Sequence, residues 1–181
     1  MYYIRVIDSD KWEGKSQYDI ASIDDIVSSD GEVSVWMDDS SHPLEDLLLA
    51  YLMTRKQIKD VCCVKIPEEY VCKRKIKQRQ EDSSTPYVSI GNLHTNLLIP
   101  TLFELGDVAE SIYEALENGY AEYVPEQDLK ERLYELINAG EIKVDLTDKD
   151  YKRIKNAYNE IAQQAQKAIN EAEMQNECVN K

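Results

Sequence analysis

Residues 32–66 read EVSVWMDDSSHPLEDLLLAYLMTRKQIKDVCCVKI, and the change of pattern inside this stretch decides the fold class. Glu32 to Met37 sets β-branched Val33 and Val35 beside Trp36, and Val61 to Ile66 is a short apolar run; both are strand signatures. Between them, Leu44 to Gln57 reads as a helix. Pro43 suits its first position, Glu45 and Asp46 favour the positive end of the helix dipole, and Arg55 and Lys56 favour the negative end. Leu47 through Met53 make the helix apolar around most of its circumference, so burial against the sheet is expected.

Outward from this core, Tyr2 to Ile7 reads as a further strand and Asp19 to Ser28 as a weaker helix leading to Glu32. The order over residues 1–72 is then βαβαβ, a small α/β layer. Lys73 to Pro86 is rich in Lys, Arg, Gln and Ser and reads as a mobile basic linker, followed by a connecting strand within 73–100 and by His94 in a loop. Residues 101–181 are helical in pattern. Thr101 to Asn118 places Leu105, Val108, Ile112 and Leu116 on one stripe and stops at Gly119; Glu126 to Ala139 follows Pro125 and stops at Gly140. The last helix, Asp148 to about Gln175, carries Tyr151, Ile154, Tyr158, Ile161, Ala165, Ala168 and Ala172 as a heptad seam. The expected fold class is α+β, an N-terminal α/β layer and a C-terminal helical region, in one domain or two. The seam fits either packing on the two preceding helices or a homodimer through Tyr151–Ala172.

Charge has a geography. Residues 1–60 carry 13 acids and 6 bases, 61–100 carry 4 and 6, and 101–181 carry 18 and 9, for a net of −14. The one basic cluster, Lys73-Arg74-Lys75-Ile76-Lys77-Gln78-Arg79, is flanked by zones that repel a polyanion, so direct nucleic-acid binding is not expected. Of the aromatic residues 12 are Tyr, two Trp and one Phe, a choice that suits half-wet positions and protein interfaces. Cys62, Cys63, Cys72 and Cys178 follow no zinc spacing, and adjacent Cys62 and Cys63 point to opposite faces of a strand. They read as small buried residues in a reducing compartment. Met1 to Arg5 runs directly into a strand pattern, with no signal peptide and no apolar run of about 18 residues, so a cytoplasmic protein without a membrane span is expected.

Catalytic signatures are incomplete. Asp8-Ser9-Asp10 follows the apolar strand Ile4-Arg5-Val6-Ile7 and resembles the first motif of haloacid-dehalogenase-type phosphatases. The resemblance implies a Mg²⁺-dependent phosphohydrolase with Asp8 and Asp10 as its carboxylates, and Asp38 and Asp39 as further ligands on the same sheet edge. It covers about seven residues, and Lys11 stands where that family has a small hydroxyl-bearing pair. His42 and His94 have no His or Cys at a metal-ligand spacing, and the six glycines form no phosphate loop, so no cofactor is expected.

The segment Glu110 to Glu126 carries a different signal. Tyr113, Tyr120 and Tyr123 alternate there with Glu114, Glu117 and Glu122, rigid aromatic anchors ringed by carboxylates. The function that fits best is a non-enzymatic acidic module binding a basic protein partner, of the inhibitor, immunity, antitoxin or accessory-subunit type. A DNA mimic, with surface acids spaced like phosphates, is the other reading the charge allows.

Overall fold

The computed structural model describes residues 1–27 and 30–179, with side chains through Ala172. Six strands form one antiparallel sheet in the order β4-β5-β2-β1-β3-β6: β1 is Tyr2–Ile7, β2 Glu32–Asp38, β3 Val61–Pro67, β4 Gln78–Gln80, β5 His94–Leu98 and β6 Ala121–Val124. The three strands legible in the sequence are the three central ones. β1 lies between β2 and β3, with Ile4 opposite Trp36 on one side and Lys65 on the other.

Strand alternation sorts the side chains into two cores. Ile4, Trp36, Val61 and Cys63 pack with α2 (Leu44–Thr54), α5 (Glu126–Asn138) and the start of α6 (Lys152–Val179) on one face. Tyr3, Ile7, Val33, Val35, Val64 and Ile66 pack with α1 (Ile20–Ile26), α3 (Glu68–Lys73) and α4 (Leu102–Glu117) on the other. Helices therefore cover both faces of the sheet, in keeping with an α+β class. Leu47, Leu48, Leu49, Ala50, Leu52 and Met53 are all buried, as the apolar circumference of α2 required, and each large side chain contributes about 1.5–3 kcal/mol. The adjacent thiols divide as expected: Cys63 is in the first core, while Cys62 lies against the second.

Helix ends follow local rules. α2, α3 and α5 each begin after a proline in extended conformation, Pro43, Pro67 and Pro125, with acidic residues in the first turn. Pro43 thus holds the position before the first helical residue, not the first helical position itself. Gly119 and Gly140, both at φ 77°, terminate α4 and α5 in the left-handed conformation that glycine adopts without strain. Ser28, the expected last residue of α1, lies outside the described residues, as does the side chain of Cys178.

Several expectations are corrected. The stretch read as a mobile basic linker is tied down: Ile76 is 6% exposed, Arg74 donates to Glu114 at 2.6 Å and Glu110 at 3.3 Å, and Gln78–Gln80 form β4. His94 opens β5 and meets the Trp36 ring edge-on, 5.3 Å between centroids, instead of lying in a loop. The sheet also takes strands from all three sequence zones, β4 and β5 from 73–100 and β6 from 101–181. In α6 the first half of the seam packs on its own chain, with Ile154, Ala157 and Ile161 buried beside α5. No described residue after Ile161 is buried.

A buried ion network joins helices across the first core. The Asp46 carboxylate, 1% exposed, accepts from Arg132 Nε at 2.7 Å and Nη2 at 3.1 Å and from the Tyr87 hydroxyl at 2.8 Å. Burial, reinforced by that bond, pushes the Tyr87 hydroxyl pKa far up, and the bond to Asp46 raises that of Arg132.

Candidate functional site

The residues of the Tyr and Glu segment do not share one surface. Tyr113 and Tyr120 are half-buried against the second core, while Tyr123, on the edge strand β6, is 62% exposed. Glu114 bonds to Arg74, which holds its carboxyl below the usual carboxylate range, and Glu122 pairs with Lys65 at 2.5 Å. Glu122 and Tyr123 are consecutive in a strand, so they face opposite sides of the sheet. Burial and a bond to Asp60 raise the Tyr123 hydroxyl. Glu117 is exposed at the end of α4. Part of the acidic patch is thus answered by the chain's own basic cluster.

Tyr120 joins a different group. Lys65 N donates to Tyr120 O at 2.9 Å, fixing Tyr120 at the edge of β3, and the register of β1 on β3 sets Tyr2 opposite Pro67. The two tyrosine rings come within 5.9 Å, tilted by 48°. Glu68 N donates to Met1 O at 3.1 Å, which places the start of α3, with Glu68 and Glu69, beside the same rings. These residues line an open cleft of about 350 Å³. No Lys, Arg or His side chain lines it. Two electron-rich ring faces and two carboxylates make a setting for an organic cation. Of its members, the sequence singled out only Tyr120. Tyr2, Glu68 and Glu69 are far away along the chain, and only strand register brings them together.

The carboxylates proposed for a metal do not converge. Asp8 follows β1 and Asp10 lies in a short 3₁₀ turn, Ser9–Lys11. β2 runs antiparallel to β1 and sets Asp38 opposite Tyr2, so Asp38 and Asp39 lie at the far end of the strand from Asp8. Six residues at ~3.3 Å each separate them by roughly 20 Å. Asp38 accepts from Ser40 N at 2.9 Å; Asp39 is bound by the Ser41 hydroxyl and N–H, which hold its carboxyl low. Among the described residues no three His, Cys, Asp or Glu side chains are grouped to hold a metal ion. Nor does any described helix have the length and apolarity to cross a membrane. His42 Nδ1 lies 3.8 Å from Asp46, outside hydrogen-bond distance.

Comparison of the chain with protein-family models, with curated proteins and with solved structures gave no match.

Proposed function

We propose that this chain is a cytoplasmic, non-enzymatic interaction module that docks a basic partner protein. The observation that carries the reading is the Tyr2–Tyr120 cleft, where two rings 5.9 Å apart stand beside Glu68 and Glu69 with no cationic side chain among the lining residues. A lysine or arginine of the partner fills it, stacking on the rings and pairing with the carboxylates. The net charge of −14 steers the encounter, an effect of roughly 10 to 10³-fold on association rate at low salt. Glu117, exposed at the end of α4, is a secondary anchor, whereas Tyr123 pairs with Cys62 and so lies toward the other end of β1, outside this contact.

A low-salt pull-down compares the wild-type chain with Tyr120→Ala and with the double variant Glu68→Gln, Glu69→Gln. Loss of the bound protein in both variants, and on adding salt, supports the reading. A partner retained by both variants and at high salt sinks it. For self-association through the Tyr151–Ala172 seam, we infer that a second copy would meet chiefly the outer part, Ala165 to Ala172, because Ile154 and Ile161 are buried within the chain. Alanine buries little apolar area, so such a homodimer is weak, and the solution mass measures it directly.

A further inference from the structure

The other end of β1 carries a second cleft, of about 500 Å³, lined by side chains of both charges. At its base Arg5 is held by neutral groups: Nη1 donates to Ser34 O and Nη2 to Asp25 O, each at 3.0 Å. Its Nε is buried and has no acceptor. A guanidinium has five N–H donors, so most of this one's capacity is unspent. Burial lowers its pKa and the nearby Asp25 charge works against that fall, but no carboxylate is within ion-pairing distance of it among the described residues. Lys59, at the rim, is likewise without an ion pair.

Three carboxylates face this cleft, and two of them are committed. Asp25 Oδ2 accepts from Trp12 Nε1 at 2.8 Å, and Asp60 Oδ1 accepts from Glu126 N at 2.8 Å. Asp8 is exposed, and its carboxylate caps no helix and makes no ion pair. The uncommitted groups are therefore two cations, Arg5 and Lys59, and one anion, Asp8. A simple anion entering here meets three carboxylates; a simple cation meets Arg5 and Lys59. A molecule bearing both charges satisfies each uncommitted group with a charge-assisted bond, and a cleft of this volume is of ordinary size for a small ligand.

We propose that this cleft binds a small zwitterion of free amino-acid size, with its carboxylate between Arg5 and Lys59 and its ammonium group on Asp8. The Tyr51 side chain, which also lines the cleft, provides an apolar wall for the remainder of the ligand. Thermal unfolding of the full chain with the free amino acids, one at a time, tests this, with acetate and methylamine as single-charge controls. At least one amino acid raises Tm by roughly 5–10 °C at about a hundredfold excess over Kd, and neither control does. Lys59→Ala and Asp8→Asn, both at exposed rim positions, keep the unliganded Tm and each weaken binding about tenfold, the loss of one charged contact. The proposal is overturned if no amino acid shifts the midpoint, if acetate alone gives the full shift, or if both rim variants bind like wild type. Tyr120→Ala leaves this binding unchanged, which separates the zwitterion site from the partner-docking cleft.

Discussion

Asp46 and Arg5 are charges set against opposite faces of one sheet, Asp46 buried and Arg5 half-buried with its Nε enclosed, and the chain treats them differently. Asp46 is enclosed between α2 and α5, with a guanidinium and a phenol on its two oxygens. Arg5 is enclosed between β1 and α1 with backbone carbonyls alone. The first arrangement spends its charge on holding helices together. The second leaves a charge facing a cleft, which costs stability and is useful only where something enters. That difference marks one ion as scaffold and the other as a binding group, and it can be broken by substitution.

The largest effect is expected at the scaffold. Arg132→Ala strips two donors from Asp46 and leaves its carboxylate without its ion partner; the cost is about 3 kcal/mol, at the low end for a buried pair because Arg132 is partly solvated. Urea unfolding at neutral pH measures it. Arg5→Met, by contrast, removes a cation that has no ion pair, so the gain in desolvation offsets the two lost carbonyl bonds. Its stability stays within about 1 kcal/mol of wild type. A loss at Arg5 as large as that at Arg132 erases the contrast.

A part-buried pair gives a smaller and pH-dependent effect. Arg74 lowers the Glu114 pKa, so its contribution is present above the ordinary glutamate pKa and disappears as pH falls through the lowered value. Wild type and Arg74→Ala should differ by about 0.5–1 kcal/mol at neutral pH, the range for a partly exposed pair, and converge in acid. Denaturant midpoints from neutral pH down to below the glutamate range follow that convergence; a gap that widens in acid rules out this assignment.

Cys63 shows a third treatment of a buried titratable group, which is to stay neutral. Burial, with the charge of Glu122 adding to it, pushes its thiol up to about 12, so the reactive thiolate is scarce at neutral pH. Cys72 is exposed. Peptide mapping after brief alkylation should find Cys72 modified and Cys63 intact until the chain unfolds; stability is untouched, which makes this the smallest effect of the series.

How much of this was legible in the sequence depended on how local the signal was. The central strands and the long helices announce themselves because β-branched runs, leucine stripes and terminal glycines act within one element. β5 is legible only as a connecting strand somewhere within 73–100, since Asn96 is a poor strand former; it is accommodated there by donating to Glu32 and Glu81, partners from elsewhere in the chain. β4 and β6 are three and four residues long, too short for a periodic pattern to develop. The clefts were less legible still. Tyr120 stood out by composition, yet its companions Tyr2 and Glu68 are fixed by antiparallel register. Asp8 carries a motif, while Arg5, two positions along the same strand from Tyr3, reads as an ordinary strand residue; its setting follows only from the place of β1 inside the sheet.

The way α6 is only half packed has a kinetic consequence. From Lys152 to Ile161 its amides are protected by the core, and they exchange with solvent only when the core opens. Beyond Ile161 the helix runs to Ala172 without a buried residue, about 16 Å at 1.5 Å per residue, held there by helix propensity and neighbouring-turn contacts. Amide exchange should therefore rise by orders of magnitude along a single uninterrupted helix, so that one element records both the global unfolding equilibrium and the fraying of an isolated helix.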